Sequence, residues 1–294
     1  MPGGATVAKS ILHTIESNFS GFSKGQKRIA SYILEHSDEA SFETASKLGR
    51  QVGVSESTVV RFAVELGYDG YPSMQRALQE VVRSRLTSAQ RIKAAGDMLE
   101  GQDVVTAVVQ TETERLRRIL TETDRKEFDR AVDLVLKAKH IYVMGVRSAA
   151  YAAGYLAYYL HLLSDRVTLA QAGTDGALFE QLFRIGPEDV MIGIAFPRYP
   201  KAVLNAVRFA KDRGASVIAI TDSRLSPLYQ GADAALLAAG GMISFIDSMA
   251  APIALCNALL AAVGQKMGTD ISAVFSQLED LWDEYGVFGE TEDE

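Results

Sequence analysis

Several residues in this 294-residue chain have the types and spacing to bind anions. One group is Ser55, Ser57, Thr58, Val60 and Arg61, inside TASKLGRQVGVSESTVVRFAVELGY at 44–68. Its hydroxyls can donate to phosphate or base edges. Arg61 can reach guanine or phosphate, and Val60 can touch a thymine methyl. A second group is Gly145, Arg147 and Ser148, which follow an apolar β-branched run and open a helical pattern. Backbone N–H groups at such a helix start attract an anion, and both side chains add donors. Arg198, in Phe196-Pro197-Arg198-Tyr199, can hold a phosphate bidentately. Thr174 and Asp175 follow another short apolar run, while Ser244, Asp247 and Ser248 precede the last long apolar helix. These five positions serve a ligand in one reading and cap helices in another.

Catalysis finds little support. Aldose–ketose isomerisation needs a base beside a carbonyl-adjacent carbon, and His161 and Glu180 are the candidates for it. The chain shows no Ser–His–Asp arrangement, metal-ligand spacing or nucleotide loop G-x-x-x-x-G-K-[ST]. No catalytic residue, metal or cofactor is therefore expected. The single cysteine, Cys256, lies in an apolar helical run and reads as a buried inert thiol, in keeping with a reducing cytoplasm. Val7 to Phe19 mixes Lys9, His13 and Glu16 into its apolar positions, which reads as an amphipathic helix rather than a signal peptide. Met249 to Val263 is too short to span a bilayer and holds Asn257, so it reads as a buried helix and no membrane partner is expected.

The elements that must position these groups follow from periodicity. Val59, Phe62, Ala63 and Leu66 fall at i, i+3, i+4 and i+7, one buried helical face. Ser55 can cap that helix, Gly53 suits a tight turn, and Leu48 and Val52 give the preceding helix its inward face. Two short helices around a turn are how a helix-turn-helix reaches the DNA major groove. The same pattern also suits an ordinary helical hairpin with a solvated face, and the Glu56 carboxylate would be repelled by phosphates. The net charge of −7 is unevenly spread: residues 1–90 carry 10 Lys+Arg against 9 Asp+Glu, and residues 91–294 carry 20 against 28. The acidic excess thus lies outside the candidate reader.

Residues 1–85 read as all-helical, with helices at 7–19, 23–36 (capped by Ser23) and 73–86 (capped by Ser73), and a short turn of helix around 38–42. The pattern weakens at 86–101, which reads as a linker. Helices at 103–120 and 123–137 follow. Short β-branched runs at 140–144, 166–169, 190–196, 216–220 and 234–237 then alternate with helical ones, before a long helix to about 266. Such alternation predicts an α/β domain over 102–288, a doubly wound parallel sheet covered on both faces. The acidic stretch 289–294 reads as a solvated tail.

The segment GVSESTVVRFAVELGYDGYPSMQRAL resembles the helix-turn-helix of the RpiR/MurR family of bacterial transcription regulators. It carries that family's ordered run at Gly53, Val54, Ser55, Thr58, Arg61, Phe62, Leu66, Gly67, Tyr68, Gly70 and Tyr71. Gly49 departs from it, standing where an alanine is usual. The stretch 140–267, above all FAKDRGASVIAITDSRLSPL, resembles the sugar isomerase (SIS) domain joined to that motif in the family. The resemblance implies a five-stranded parallel sheet with a phosphosugar pocket at the carboxyl ends of its strands, near a dimer interface. It implies double-stranded operator DNA and a small effector as partners, a homodimer or homotetramer, and a repressor of a carbohydrate operon. The S-G-x-[ST] phosphate loop is replaced here by Phe196-Pro197-Arg198-Tyr199. The effector is therefore a sugar phosphate held differently, a polyol or a sugar acid. A sugar-phosphate isomerase or lyase with an accessory helical domain is the alternative.

Overall fold

The computed structural model describes residues 11–83, 103–238 and 246–288, with the isolated positions 92 and 101. Most of the expected linker, the acidic tail and Ser244 lie outside the described residues.

The N-terminal unit is helical. It comprises α1 (Ile11–Asn18) with a 3₁₀ turn (Phe19–Gly21), α2 (Lys24–Glu35), α3 (Ser37–Ala40), α4 (Ala45–Val52), α5 (Glu56–Glu65) and α6 (Tyr71–Arg83). Ser23 caps α2 through a reciprocal capping box with Gln26, which satisfies two amide donors at the helix start. The core gathers Ile15, Ile29, Ile33, Leu48, Val59, Phe62 and Met74, all fully buried. Of the α5 face read from periodicity, Val59, Phe62 and Ala63 are buried, while Leu66, the C-cap, is half-buried. One expectation fails: α6 begins at Tyr71, so Pro72 and Ser73 lie inside its first turn. Proline is at home there because its missing N–H has no intrahelical partner in any case. Ser73 Oγ instead donates to Gly70 O at 3.0 Å.

The second unit opens with α7 (Val104–Glu122) and α8 (Arg125–Lys137), capped by Asp103 and Asp124. Strands and helices then alternate: β1 (Ile141–Gly145), α9 (Ala149–Leu163), β2 (Val167–Leu169), α10 (Asp175–Leu182), β3 (Val190–Ile194), α11 (Lys201–Asp212), β4 (Ser216–Thr221), β5 (Ala234–Leu237) and α12 (Ala250–Met267). Among the described residues the strands form one parallel sheet of order β2-β1-β3-β4-β5. Strands β1 and β3 are wholly buried, as a sheet covered on both faces requires. Two hydrophobic clusters flank the sheet. One gathers Val143, Ile192 and Ile220 with Leu156 of α9 and Leu255, Cys256 and Leu259 of α12. The other gathers Met144, Met191 and Val217 with Leu178 of α10 and Val203 and Ala206 of α11. Helix α12 is long and apolar enough to cross a membrane by length and composition, yet its apolar residues pack in the first of these cores. Burial pushes the Cys256 thiol up to about 12, in keeping with the inert role expected of it. A further helix, α13 (Thr269–Glu284), lies where the sequence reading assigned no element.

In this strand order β2 lies on one side of β1 and β3 on the other, so the succession of strands across the sheet reverses at β1 and β3. That leaves a crevice at the carboxyl ends of the two strands.

Candidate functional site

The reader is built from the α4–α5 turn. Thr44 caps α4 by accepting from Lys47 N at 3.2 Å. Gly53 ends α4 in the left-handed region at φ 67°, where a side chain would be strained. Gly49 is buried under the turn, and a Cβ there would lie 2.9 Å from Val54 O. The glycine at this position thus has a packing reason, a close approach of the turn to α4.

Ser55 caps α5, its Oγ accepting from Thr58 N at 3.3 Å. The three hydroxyls form one cluster, with Ser55 Oγ 2.9 Å from Ser57 Oγ and 2.8 Å from Thr58 Oγ1. Ser57, Val60 and Arg61 are exposed, and Thr58 is half-buried. Arg61 Nε donates to Ser57 O at 3.3 Å, which lays the guanidinium back along the helix. These positions make one polar and cationic face of α5 that can enter a groove. Replacing Arg61 by Ala should weaken specific duplex binding by about 1–3 kcal/mol, read by fluorescence anisotropy, while leaving the urea midpoint unchanged.

The second site is the crevice at the switch in strand order. Register pairs Gly145 with Ile194, so the loops after β1 and β3 emerge side by side. Between them lies a cavity of about 230 Å³. Its wall from the β1 side is Val146, Arg147, Ser148 and Ala149, and from the β3 side Ala195 to Arg198 with Pro200. Asp247, just before α12, completes the lining. Arg147 and Ser148, Arg198 and Asp247, from three separate stretches of the sequence, thus line one cavity.

Two features of this cavity stand out physically. Arg147 has φ 58° and Arg198 φ 78°, the two non-glycine residues with positive φ among those described. Such backbone costs energy and persists where neighbours over-determine it. For Arg198 the neighbours are identifiable. Tyr199 N donates to Phe196 O at 2.9 Å, and Tyr199 OH donates to Asp222 Oδ1 at 2.9 Å. Beneath them the buried Thr221 hydroxyl donates to Ala195 O at 2.8 Å and lies 2.7 Å from Ser226 Oγ. Pro197 and Pro200 stiffen the loop further. The second feature is Ser148, which precedes α9 in helical conformation and makes no capping bond with its side chain. The first residue of α9, Ala149, borders the cavity, where the helix dipole favours an anion, and Pro200, which precedes α11, borders it from the other side.

Other expected residues lie elsewhere. Gly145 is buried at the end of β1 and does not line the cavity. Thr174 is exposed and caps α10, accepting from Ala177 N at 3.3 Å. Asp175 is the first residue of α10. Ser248 Oγ accepts from Ala250 N at 3.2 Å. His161, in the last turn of α9, and Glu180 of α10 are exposed and line no part of the cavity. Among the described residues no group of His, Cys, Asp and Glu is arranged to hold a metal. Sequence reasoning missed Phe196, Pro197 and Val146 as lining, and Arg28, whose Nη2 donates to Gly53 O at 2.8 Å and braces the reader's turn. Phe196 and Pro197 lie in the loop that singled out Arg198, but apolar types carry no sign of lining a pocket, and a brace such as Arg28 is defined by tertiary packing.

Comparison with known proteins agrees with this division. Residues 9–85 match the model of the helix-turn-helix domain of the rpiR family, and residues 134–262 match the SIS domain. An HTH-type transcriptional regulator of Haemophilus influenzae is 26% identical over 237 residues, covering 79% of this chain and 81% of the relative. Another from Caldanaerobacter subterraneus is 25% identical and covers 89% of this chain and 93% of its own. Among solved structures, the sugar isomerase domain of an RpiR transcription factor from Sphaerobacter thermophilus is 30% identical, with a TM-score of 0.58. It covers 61% of this chain and 99% of that one. The Vibrio vulnificus NanR protein, solved with ManNAc-6P, shares the fold at 24% identity and a TM-score of 0.58, covering 94% of this chain and 98% of that one. The curated relatives are named as regulators of transcription, not as enzymes. This chain belongs to the RpiR family of DNA-binding transcriptional regulators, a helix-turn-helix joined to a SIS domain.

Proposed function

We propose that this regulator represses a carbohydrate catabolic operon and releases its operator when a phosphosugar or related metabolite fills the cavity between β1 and β3. Residues 1–85 read DNA, 86–101 link, and 102–288 sense the effector, with 289–294 a solvated tail. The observation that carries this reading is the pair of left-handed arginines, Arg147 and Arg198, on one cavity at the switch in strand order. Their guanidinium groups, Ser148 and the start of α9 supply donors for an anionic end. Asp247 supplies an acceptor for sugar hydroxyls. With no S-G-x-[ST] cradle, the arginine forks replace hydroxyls as anion donors.

Exposed apolar side chains support a homodimer or homotetramer: Val105 and Leu120 on α7, and Tyr151 and Tyr158 on α9. In such an assembly an effector changes operator affinity by altering the spacing of two readers. A regulator of this kind works in the cytoplasm, with operator DNA as its macromolecular partner.

Thermal-shift titration with sugar phosphates, polyols and sugar acids tests the reading. One class should raise the melting temperature, by an amount equivalent to about 2.7 kcal/mol at a hundredfold excess over Kd. The same compound should release operator DNA in a gel shift. No shift from any of the three classes would sink the sensor reading, whereas loss of DNA binding under all conditions would sink the regulatory one.

A further inference from the structure

Helix α2 lies along one flank of the recognition helix. Gly25 comes so near that a Cβ there would sit 3.5 Å from Val54 Cγ1 and 3.6 Å from Thr58 Cγ2. Gln26 Nε2 donates to Glu65 Oε2 at the far end of α5. Arg28 Nη2 donates to the carbonyl of Gly53, the left-handed residue between α4 and α5. The face of α2 beside the reader's turn therefore carries Lys24, Lys27 and Arg28, at i, i+3 and i+4. The three cations line one open cleft of about 710 Å³ together with Val52 of α4 and, toward the far end of α2, Ser31, Tyr32, Glu35 and His36, so the cationic end of the cleft is the one beside the reader's turn. Lys24 and Arg28 are exposed and Lys27 is half-buried. Among the described residues neither lysine pairs with a carboxylate.

Arg61 is the cation on the outward face of α5, and Glu56 in its first turn opposes it. A reader whose net charge is close to zero needs its cations concentrated where the polyanion lies. We propose that Lys24, Lys27 and Arg28 form a second contact row on the DNA backbone, gripping phosphates that flank the groove α5 enters. Arg28 also positions α5 by holding the Gly53 carbonyl. The cleft is a shallow, open surface beside the α4–α5 turn, which Arg28 joins through the Gly53 carbonyl. A small anion would be left mostly in water there, whereas ligand pockets bury most of their guest. A duplex laid across α5 covers the row.

The test uses the full chain and a random-sequence duplex of about 30 base pairs, whose binding is almost wholly electrostatic. Anisotropy titrations from about 50 to 200 mM KCl give the slope of log K against log salt. Lys24→Gln/Lys27→Gln should lower the magnitude of that slope by about 1.8 per reader, two contacts at about 0.9 each. Lys126→Gln/Lys137→Gln on α8 removes the same charge from the other unit and should leave the slope unchanged. A wild-type slope in the α2 variant would overturn the proposal. So would an equal loss in the α8 variant, because the effect would then belong to net charge. Circular dichroism confirms that both variants fold. Arg61→Ala in parallel separates failure of this row from failure of α5 as the reader.

Discussion

Arg147→Gly and Arg198→Gly are expected to give a more stable protein that has lost its effector response. An L-residue in the left-handed region costs about 1–2 kcal/mol. At φ 58° and 78° both arginines bear that cost. Glycine removes it but adds unfolded-state freedom worth about 0.5–1 kcal/mol. The net is a gain of about 0.5–1 kcal/mol for each variant, read as a higher urea midpoint without ligand. The lost guanidinium acts in the opposite sense. A hydrogen bond to a charged partner contributes about 1.5–3 kcal/mol, so affinity for the best sugar phosphate in the thermal-shift panel should fall roughly 10- to 100-fold. Arg147→Ala and Arg198→Ala separate the two effects. They keep the Cβ in the unfavourable region, so they should lose the ligand without the gain in stability. Glycine variants that unfold at lower urea would refute the strain argument, and unchanged affinity would refute the site.

The contrast between these arginines and Thr174 shows what the sequence made legible. Arg147, Ser148, Arg198 and Asp247 each stand between a strand-like run and a helical one, which is legible from the sequence alone. Periodicity also located the strands to within one or two residues and the buried face of α5, because burial imposes periods of 2 and 3.6 directly on residue types. Strand order has no such imprint. Only the order β2-β1-β3 brings the loops after β1 and β3 together, leaving Thr174, after β2, outside the cavity lining. The left-handed backbone at Arg147 and Arg198 was illegible for a related reason. Arginine is an unfavourable choice for positive φ, so local preference argues against it at both positions, and around Arg198 tertiary contacts of Tyr199, Asp222 and Thr221 hold the loop against that preference. A serine after a proline is a good cap in isolation, yet Ser73 lies inside the first turn of α6. The cap position was taken by Gly70, whose φ of 157° and carbonyl bond from Ser73 set the start of α6 two residues earlier.

Gly145→Ala should be the most damaging single methyl in the sensing unit. Sequence reading placed Gly145 among the effector contacts, and the structure gives it a different office. A Cβ on Gly145 would lie 2.4 Å from Ala149 O, 2.8 Å from Ala149 C and 3.1 Å from Ala153 Cβ. The first two are backbone atoms, so no rotamer change relieves the overlap. Helix α9 cannot simply slide away, because Ala152, Ala153 and Leu156 are fully buried against the sheet. Overpacking of this kind costs about 1–3 kcal/mol, and a backbone obstruction belongs at the upper end. The added methyl therefore moves the start of α9, which carries Ser148 and Ala149 at the cavity wall. Two readouts should change together: a fall in the urea midpoint equivalent to about 3 kcal/mol, and loss of the effector-induced thermal shift. Ala150→Gly, at an exposed position on the same helix, should lower stability by only about 1 kcal/mol and keep the shift. A Gly145→Ala protein with native stability and native effector affinity would show that the close approach of β1 to α9 does not shape the cavity. A protein that loses stability but keeps affinity would confine the glycine to the fold and leave anion binding to Arg147, Ser148 and Arg198 alone.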